Sequence, residues 1–285
     1  MLTKPLPDRP DCCKPRRIVM RPRSVRCSLL AVAWLLLMAP GPGNSQQPRE
    51  AKTAVLVELF TSEGCSSCLQ ADRLLTELQE QPAPGVEIIT LGEHVDYWDP
   101  LGWQDRFASQ QFTRRQQDYG IHFNQSDVYT PQMIVDGEEE FVAKDAGETR
   151  LAIQRAAARA KARLRIETGA ADENTGHPRW TIHVDSLPPR APAKVDVFIA
   201  ITESDLSSEV ARGENRGRSL RHSSVVRILR KIGEVENGPA VKFEQAIQLR
   251  LDPAWNRQNL RIVAFLQEAG PARVIGAASL PVAAN

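Results

Sequence analysis

The chain is poor in the groups that mark most chemistries. Cysteine occurs five times in 285 residues, and three of the five (Cys12, Cys13 and Cys27) fall near the N-terminus. Beyond them only Cys65 and Cys68 remain. No second cysteine pair and no His-x-x-x-His follows, so the four-ligand set of a structural zinc is missing. There is no P-loop, no G-x-S-x-G, no zincin motif and no internal repeat, which excludes several nucleotide-binding and hydrolytic classes. His177, His183 and His222 are scattered without ligand spacing. Charge of one sign is scarce as well, the net being +1. That sum hides an asymmetry: residues 1–45 hold eight Lys/Arg and two Asp, leaving 28 Lys/Arg against 33 Asp/Glu beyond, a net of −5. A surface without a basic surplus suits phosphate backbones badly, so nucleic acid is not an expected partner.

Long apolar runs are also few. Cys27 to Ala39 (CSLLAVAWLLLMA) is short for a bilayer span and follows Arg21, Arg23 and Arg26. Gly43 and Ser45 stand at −3 and −1 of a cleavage after Ser45, so residues 1–45 read as a secretory signal peptide. Met20 opens a more usual n-region than Met1 and is the expected start. The rival is an uncleaved anchor, in which case the leader is the chain's membrane contact. The expected location is periplasmic or secreted. An oxidising compartment couples stray thiols, and a chain keeping a single close pair there fits redox duty. Two cysteines three apart close too small a loop to constrain the unfolded chain much.

That pair sits where a strand meets a helix. Val55, Leu56, Val57, Leu59 and Phe60 form an apolar run that ends at Thr61, Ser62 and Gly64. Cys65-Ser66-Ser67-Cys68 follows, and Ala71, Leu74, Leu75 and Leu78 then fall on one helix face before Pro82, Pro84 and Gly85 stop it. A thiol at a helix N-terminus meets unpaired N–H groups and the positive end of the macrodipole, both favouring thiolate. Cys65 is expected at the exposed mouth of the turn as nucleophile, and Cys68 one turn further in as the resolving thiol. An inert bridge and a metal site are the alternatives. Glu58, among Val57, Leu59 and Phe60, is a candidate acceptor of the resolving thiol's proton if it faces inward rather than to solvent. His94, Tyr97 and Trp98 are candidates to line a groove beside the dithiol, against a plainer role as core filler and loop cap. His94 with both thiolates also makes a soft three-ligand set suited to Cu(I).

Further along, Val86–Val95 reads as a buried strand, an aromatic loop follows, and Asp105–Tyr119 reads as a helix. Thr130-Pro131 opens a short strand, Asp136-Gly137 signals a hairpin, and Glu140–Ala143 is the return strand. Asp145 with Glu148 starts a helix carrying Ile153, Ala157, Ala160 and Leu164. From about Arg165 the character changes. Arg163–Glu167, Trp180–Val184, Lys194–Thr202, Val225–Val235, Val241–Leu251, Leu260–Leu266 and Arg273–Leu280 read as strands, several with period-2 alternation, the pattern of a β-sandwich. Ser207–Arg221 is a basic, glycine-bearing stretch, either a solvated connection or a clamp for an acidic partner.

The element order, with C-x-x-C opening the first helix and Thr-Pro opening the third strand, resembles the thioredoxin fold over roughly Thr53 to Leu164. In that fold the proline is cis and packs beside the dithiol; the resemblance implies that Tyr129, Thr130 and Pro131 meet the substrate, as an extended segment pairing with the Thr130 backbone. The strings ELFTSEGCSSC, HVDYWDPLGW, VYTPQMIVDG and GENRGRSLRH resemble the exported thioredoxin-like proteins grouped as bacterial domain-of-unknown-function family 1223, with Leu69 standing where proline is expected. The expectation is an α/β thioredoxin-like domain (46–164, helical insert at about 100–125) followed by an all-β sandwich-like domain (165–285). The expected function is an exported thiol–disulfide oxidoreductase that needs no cofactor. Its partners are exported protein substrates and a redox partner protein. The other readings are a Cu(I) chaperone using the same cysteines and a non-catalytic binding module with a structural disulfide.

Overall fold

Strand-forming runs from both halves of the chain are gathered into one large sheet. A computed structural model describes residues 52–282 except 82, 240 and 271, so the leader expected at 1–45 lies outside the described residues. The first half comprises β1 (Thr53–Thr61), α1 (Cys68–Glu80), β2 (Val86–His94), α2 (Gln110–His122), β3 (Gln132–Val135), β4 (Glu139–Val142) and α3 (Ala146–Ala157). The second comprises β5 (Arg163–Gly169), β6 (Arg179–Ser186), β7 (Lys194–Glu203), β8 (Leu206–Glu209), β9 (Ser219–His222), β10 (Val225–Glu236), β11 (Phe243–Gln248), β12 (Leu260–Glu268) and β13 (Val274–Pro281). The result is a mixed α/β fold with few helices. Its eight-stranded sheet has the order β13-β12-β7-β10-β2-β1-β3-β4, beside a three-stranded sheet β11-β6-β5 and a β8-β9 hairpin. Among the described residues no helix is long and apolar enough to cross a membrane.

Period-2 alternation along β1 sorts its side chains between two faces. Val55, Val57 and Leu59 pack with Ala71, Leu74, Leu75 and Leu78 of α1 and with Ile153 of α3. Leu56 and Phe60 point the other way, toward Phe112 and Tyr119 of α2. Each leucine so buried contributes about 1.5–3 kcal/mol. β1 runs parallel to β2 and antiparallel to β3, which pairs antiparallel with β4 through the Asp136-Gly137 turn. Both turn residues have positive φ (47° and 67°), the geometry an Asp-Gly hairpin favours.

Two helices are shorter than the sequence suggests. α2 starts at Gln110, capped by Ser109, because the Asp105 carboxylate accepts N–H groups of Glu63 and Phe107 and holds its own backbone outside the helix. α3 begins as expected behind Asp145, which accepts from Gly147 and Glu148, but ends at Ala157; Ala160 lies beyond it and Leu164 belongs to β5.

The seven strands read in the second half all form. Trp180, Ile182 and Val184 of β6 pack onto Val195, Val197, Ile199 and Ile201 of β7, so the three-stranded sheet covers the outer part of the large one. What reads in sequence as a separate sandwich thus has its larger layer continuous with the first half. The join is narrow: β10 meets β2 at Val225 and Gly92, where the Gly92 N–H donates to Ser224 O at 2.8 Å. A Cβ at Gly92 would lie 3.2 Å from Ser223 O, so any other residue would push the two backbones apart by a few tenths of an ångström. The stretch Ser207–Arg221 is more than a connection, since it forms most of the β8–β9 hairpin.

Candidate dithiol site

β1 delivers its last residues into a tight turn. The Cys65 N–H donates to Ser62 O and the Gly64 N–H to Ser62 Oγ, both at 3.1 Å. Cys65 stands three residues ahead of α1 and Cys68 is the helix's first residue. The two sulfurs are bonded, with Cα atoms 5.4 Å apart. Ser67 makes no side-chain cap and the first turn of α1 holds no acid, so the helix itself supplies nothing to neutralise its positive end.

One expectation fails here. Cys65 is not at an exposed mouth: both cysteines have 0% of their surface exposed. The Cys65 sulfur lies 3.3 Å from Ser67 Oγ, and the turn that carries it is tied down from about 150 residues away in sequence. Asn215, in the loop of the β8–β9 hairpin, donates through Nδ2 to the carbonyls of Glu63 (2.8 Å) and Cys65 (3.1 Å). Glu214 Oε2 accepts the Ser66 N–H at 3.3 Å. Trp98 packs against the same turn, its Cβ 3.1 Å from where a side chain on Gly64 would begin. Between the two cysteines, Ser66 and Ser67 stay exposed.

Those serines form one wall of an open groove of about 740 Å³, with Tyr129, Thr130 and Pro131 across from them. The Thr130–Pro131 peptide bond is cis. Trp98 supports that wall from behind, donating Nε1–H to Thr130 Oγ1 at 2.9 Å. Tyr97 stands beside Thr130 as well, its hydroxyl donating to Gln116 Oε1 at 3.2 Å and its phenol pushed up to about 12 by burial. The dithiol loop, Tyr129, Thr130 and Pro131 are therefore brought together. Trp98 contributes indirectly, and neither Tyr97 nor His94 lines the groove.

Glu58 requires a correction. It is buried, yet it alternates with Leu56 and Phe60 onto the α2 face, opposite the face that α1 covers. Its carboxylate accepts Arg115 Nε–H at 2.6 Å and the Tyr119 hydroxyl at 2.5 Å. It neutralises a buried guanidinium and is not positioned to take a proton from Cys68.

The titratable groups on the α1 side of the sheet are others, and sequence inspection passed over most of them. His94 Nδ1 lies 2.6 Å from Asp105 Oδ2, and Thr61 Oγ1 donates to Asp72 Oδ1 at 2.9 Å. The Trp103 indole donates to Glu63 Oε2 at 2.7 Å. His222, from β9, stands 3.4 Å from Glu63 Oε1 and 3.9 Å from Asp72 Oδ2, with neither ring nitrogen hydrogen-bonded. Burial pushes the Asp72 carboxyl up, against the pull of His222 and His94. Burial works on Glu63 the same way, but His222, Ser208 and Trp103 outweigh it and hold that carboxyl below its usual range. Asp72 was legible, since it falls four residues after Cys68 on the buried stripe of α1. His94 is engaged with Asp105 and packs edge-on against His222 and Phe107, and among the described residues no three His, Cys, Asp or Glu side chains converge on a metal position.

Comparison with known proteins adds a family. The family described as "Protein of unknown function (DUF1223)" matches residues 56–267. The chain belongs to it. Among solved structures, this DUF1223 protein is similar to protein AGR_C_4864 from Agrobacterium tumefaciens, at 26% identity over 82% of this chain and 96% of that one, TM-score 0.61. It shares its fold with HBP35 of Porphyromonas gingivalis, at 12% identity over 81% and 76% of the two chains, TM-score 0.63. No curated protein matches it.

Proposed function

We propose that this protein is an exported, thioredoxin-like thiol–disulfide oxidoreductase acting on protein thiols and disulfides through Cys65 and Cys68. The observation that carries this reading is the C-x-x-C disulfide at the uncapped start of α1, facing Thr130-Pro131 across a groove. The order β2-β1-β3-β4, with α1 between the parallel strands, supports the thioredoxin-like assignment. The leader motif supports export. From the disulfide state, a substrate thiolate attacks Cys65 Sγ, the Cys65–Cys68 bond breaks, and Cys68 leaves as thiolate and takes up a proton. The resulting mixed disulfide is resolved by a second substrate thiolate, which frees Cys65 as thiolate. In the reverse direction Cys65 attacks a substrate disulfide and Cys68 displaces the product. No cofactor takes part, and a partner protein resets the pair. Because both cysteines are buried, exchange requires the dithiol turn and the β8–β9 loop bonded to it to separate.

Cys65→Ser is expected to abolish exchange and Cys68→Ser to accumulate mixed disulfides with substrate proteins, read on non-reducing gels. Full turnover by the Cys65 variant would sink the assignment. The burial of both cysteines favours a second reading, a binding module with a structural disulfide. A large drop in Tm on reduction, with no exchange activity, would select it.

A further inference from the structure

The groove beside the dithiol has a charge that the chain as a whole lacks. Arg73 from α1, Lys144 from the segment after β4 and Arg218 from the β8–β9 loop converge on it. All three are exposed, and among the described residues none pairs with a carboxylate. No Asp or Glu lines the groove. Three acids stand at its edge and are engaged or turned outward: Glu214 accepts the Ser66 N–H, Glu140 accepts from Tyr129 and Gln132, and Glu77 lines an adjoining depression with Arg73 and Lys144. This cluster stands out because the chain past residue 45 is net negative.

The wall opposite the serines offers main chain as well as charge. The Thr130 side chain accepts the Trp98 indole, while among the described residues its N–H and C=O take no part in backbone hydrogen bonds. Val142, 40% exposed, and Leu69 give the groove an apolar strip. An extended polypeptide fits such a surface, its backbone pairing at Thr130 and its side chains reaching the cations.

We infer that the groove selects acidic substrates: an extended protein segment whose exchanging cysteine is flanked by Asp or Glu. This rests on the oxidoreductase reading for the cysteine and on the groove alone for the acids. Exposed ion pairs are individually weak, so three of them give about tenfold discrimination at low salt, fading as the Debye length shrinks.

Two sets of fluorescent peptides test it, acidic and basic around one central position. With serine at that position, anisotropy at 20 mM and 500 mM salt reads docking alone; with a mixed disulfide there, the same peptides read exchange. The expected result is about tenfold tighter binding of the acidic peptide at low salt, converging at high salt. The preference should reverse in Arg73→Glu/Lys144→Glu/Arg218→Glu and be lost in the corresponding triple Gln variant. Equal affinities for the two peptides would overturn the inference. Tight acidic binding with no exchange would leave the groove assignment standing and overturn the oxidoreductase reading instead.

Discussion

Asn215 ties the β8–β9 loop to the dithiol turn, so its removal tests whether that loop governs access to the disulfide. Asn215→Ala removes both N–H bonds that hold the hairpin loop onto the Glu63 and Cys65 carbonyls. At about 0.5–1.5 kcal/mol net for each bond, closing becomes weaker by about 1–3 kcal/mol. Each 1.4 kcal/mol is tenfold in an equilibrium constant, so the open population rises roughly 5- to 150-fold. Asn215 Oδ1 has no partner in the closed state, which places the change toward the lower end. The assay is reduction of the disulfide by a phosphine over a range of concentrations. While opening is a fast pre-equilibrium, the second-order rate constant scales with the open population and rises by the same factor. Urea unfolding of the oxidised protein supplies the control, because reduction through global unfolding alone would track that free energy and not the local one. A rate constant within twofold of the original, in a variant whose loop bonds are gone, would mean that the hairpin does not govern access.

Two other predictions concern the buried charges. Arg115→Met leaves Glu58 without its counter-ion, beside a Glu93 carboxyl that burial and Glu58 push well above its usual range, and breaking such a buried pair costs about 3–5 kcal/mol, measurable as a lower urea midpoint. Since that network lies on the α2 face, the reduction rate of the folded variant should match the original; a changed rate would tie Glu58 back to the dithiol. The second concerns pH. Burial pulls the His94 imidazole down, but Asp105 beside it prevails and raises it above its usual 6.5. The pair's stabilisation is therefore complete below about pH 6.5 and is lost as pH rises through the higher folded value. Asp105, pushed up by burial and brought below its usual 3.8 chiefly by His94, contributes stability above that range and loses it as pH falls through its folded value. Urea midpoints should fall from pH 6 to pH 9 and flatten in His94→Asn; an unchanged slope in the variant would remove this pair as the cause.

Local features were legible in the sequence and distant ones were not. The C-x-x-C at a strand–helix junction, the Asp136-Gly137 turn and the Asp145 cap each depend on residues within a few positions of one another, and each stands where spacing puts it. Seven strands of the second half were readable from alternation, yet alternation fixes a face and not a neighbour. That β7, β10, β12 and β13 extend the first sheet hangs on a close backbone approach at Gly92. Glu58 was misplaced although its parity was available, since Val55, Val57 and Leu59 share the α1 face and leave even-numbered residues for α2. Asn215 could not be found by any local rule, because a side-chain bond to Cys65 spans 150 residues.

The narrow join between the halves also explains why the β8–β9 loop lies where it does. Ser223 and Ser224 sit between β9 and β10, and the backbone of Ser224 is the one that meets Gly92 on β2. Ser224 Oγ bonds Thr90 on the same strand, and Ser223 Oγ accepts from Thr76 on α1. The hairpin is therefore anchored at its base to β2 and to α1, the helix that opens with Cys68, while its tip is held by the Asn215 bonds, the Glu214 contact and the close approach of Gly213 to Trp103. Lifting the tip while the base stays attached therefore means breaking those contacts alone. Arg218, three residues past Asn215, belongs to that same tip and to the groove. A docking segment that engages Arg218 better when the tip is lifted would favour the lifted state by the difference in those two affinities, and one that engages both states equally would not move it. The second half thus contacts the dithiol turn directly, and the continuity of the sheet is the physical reason it can.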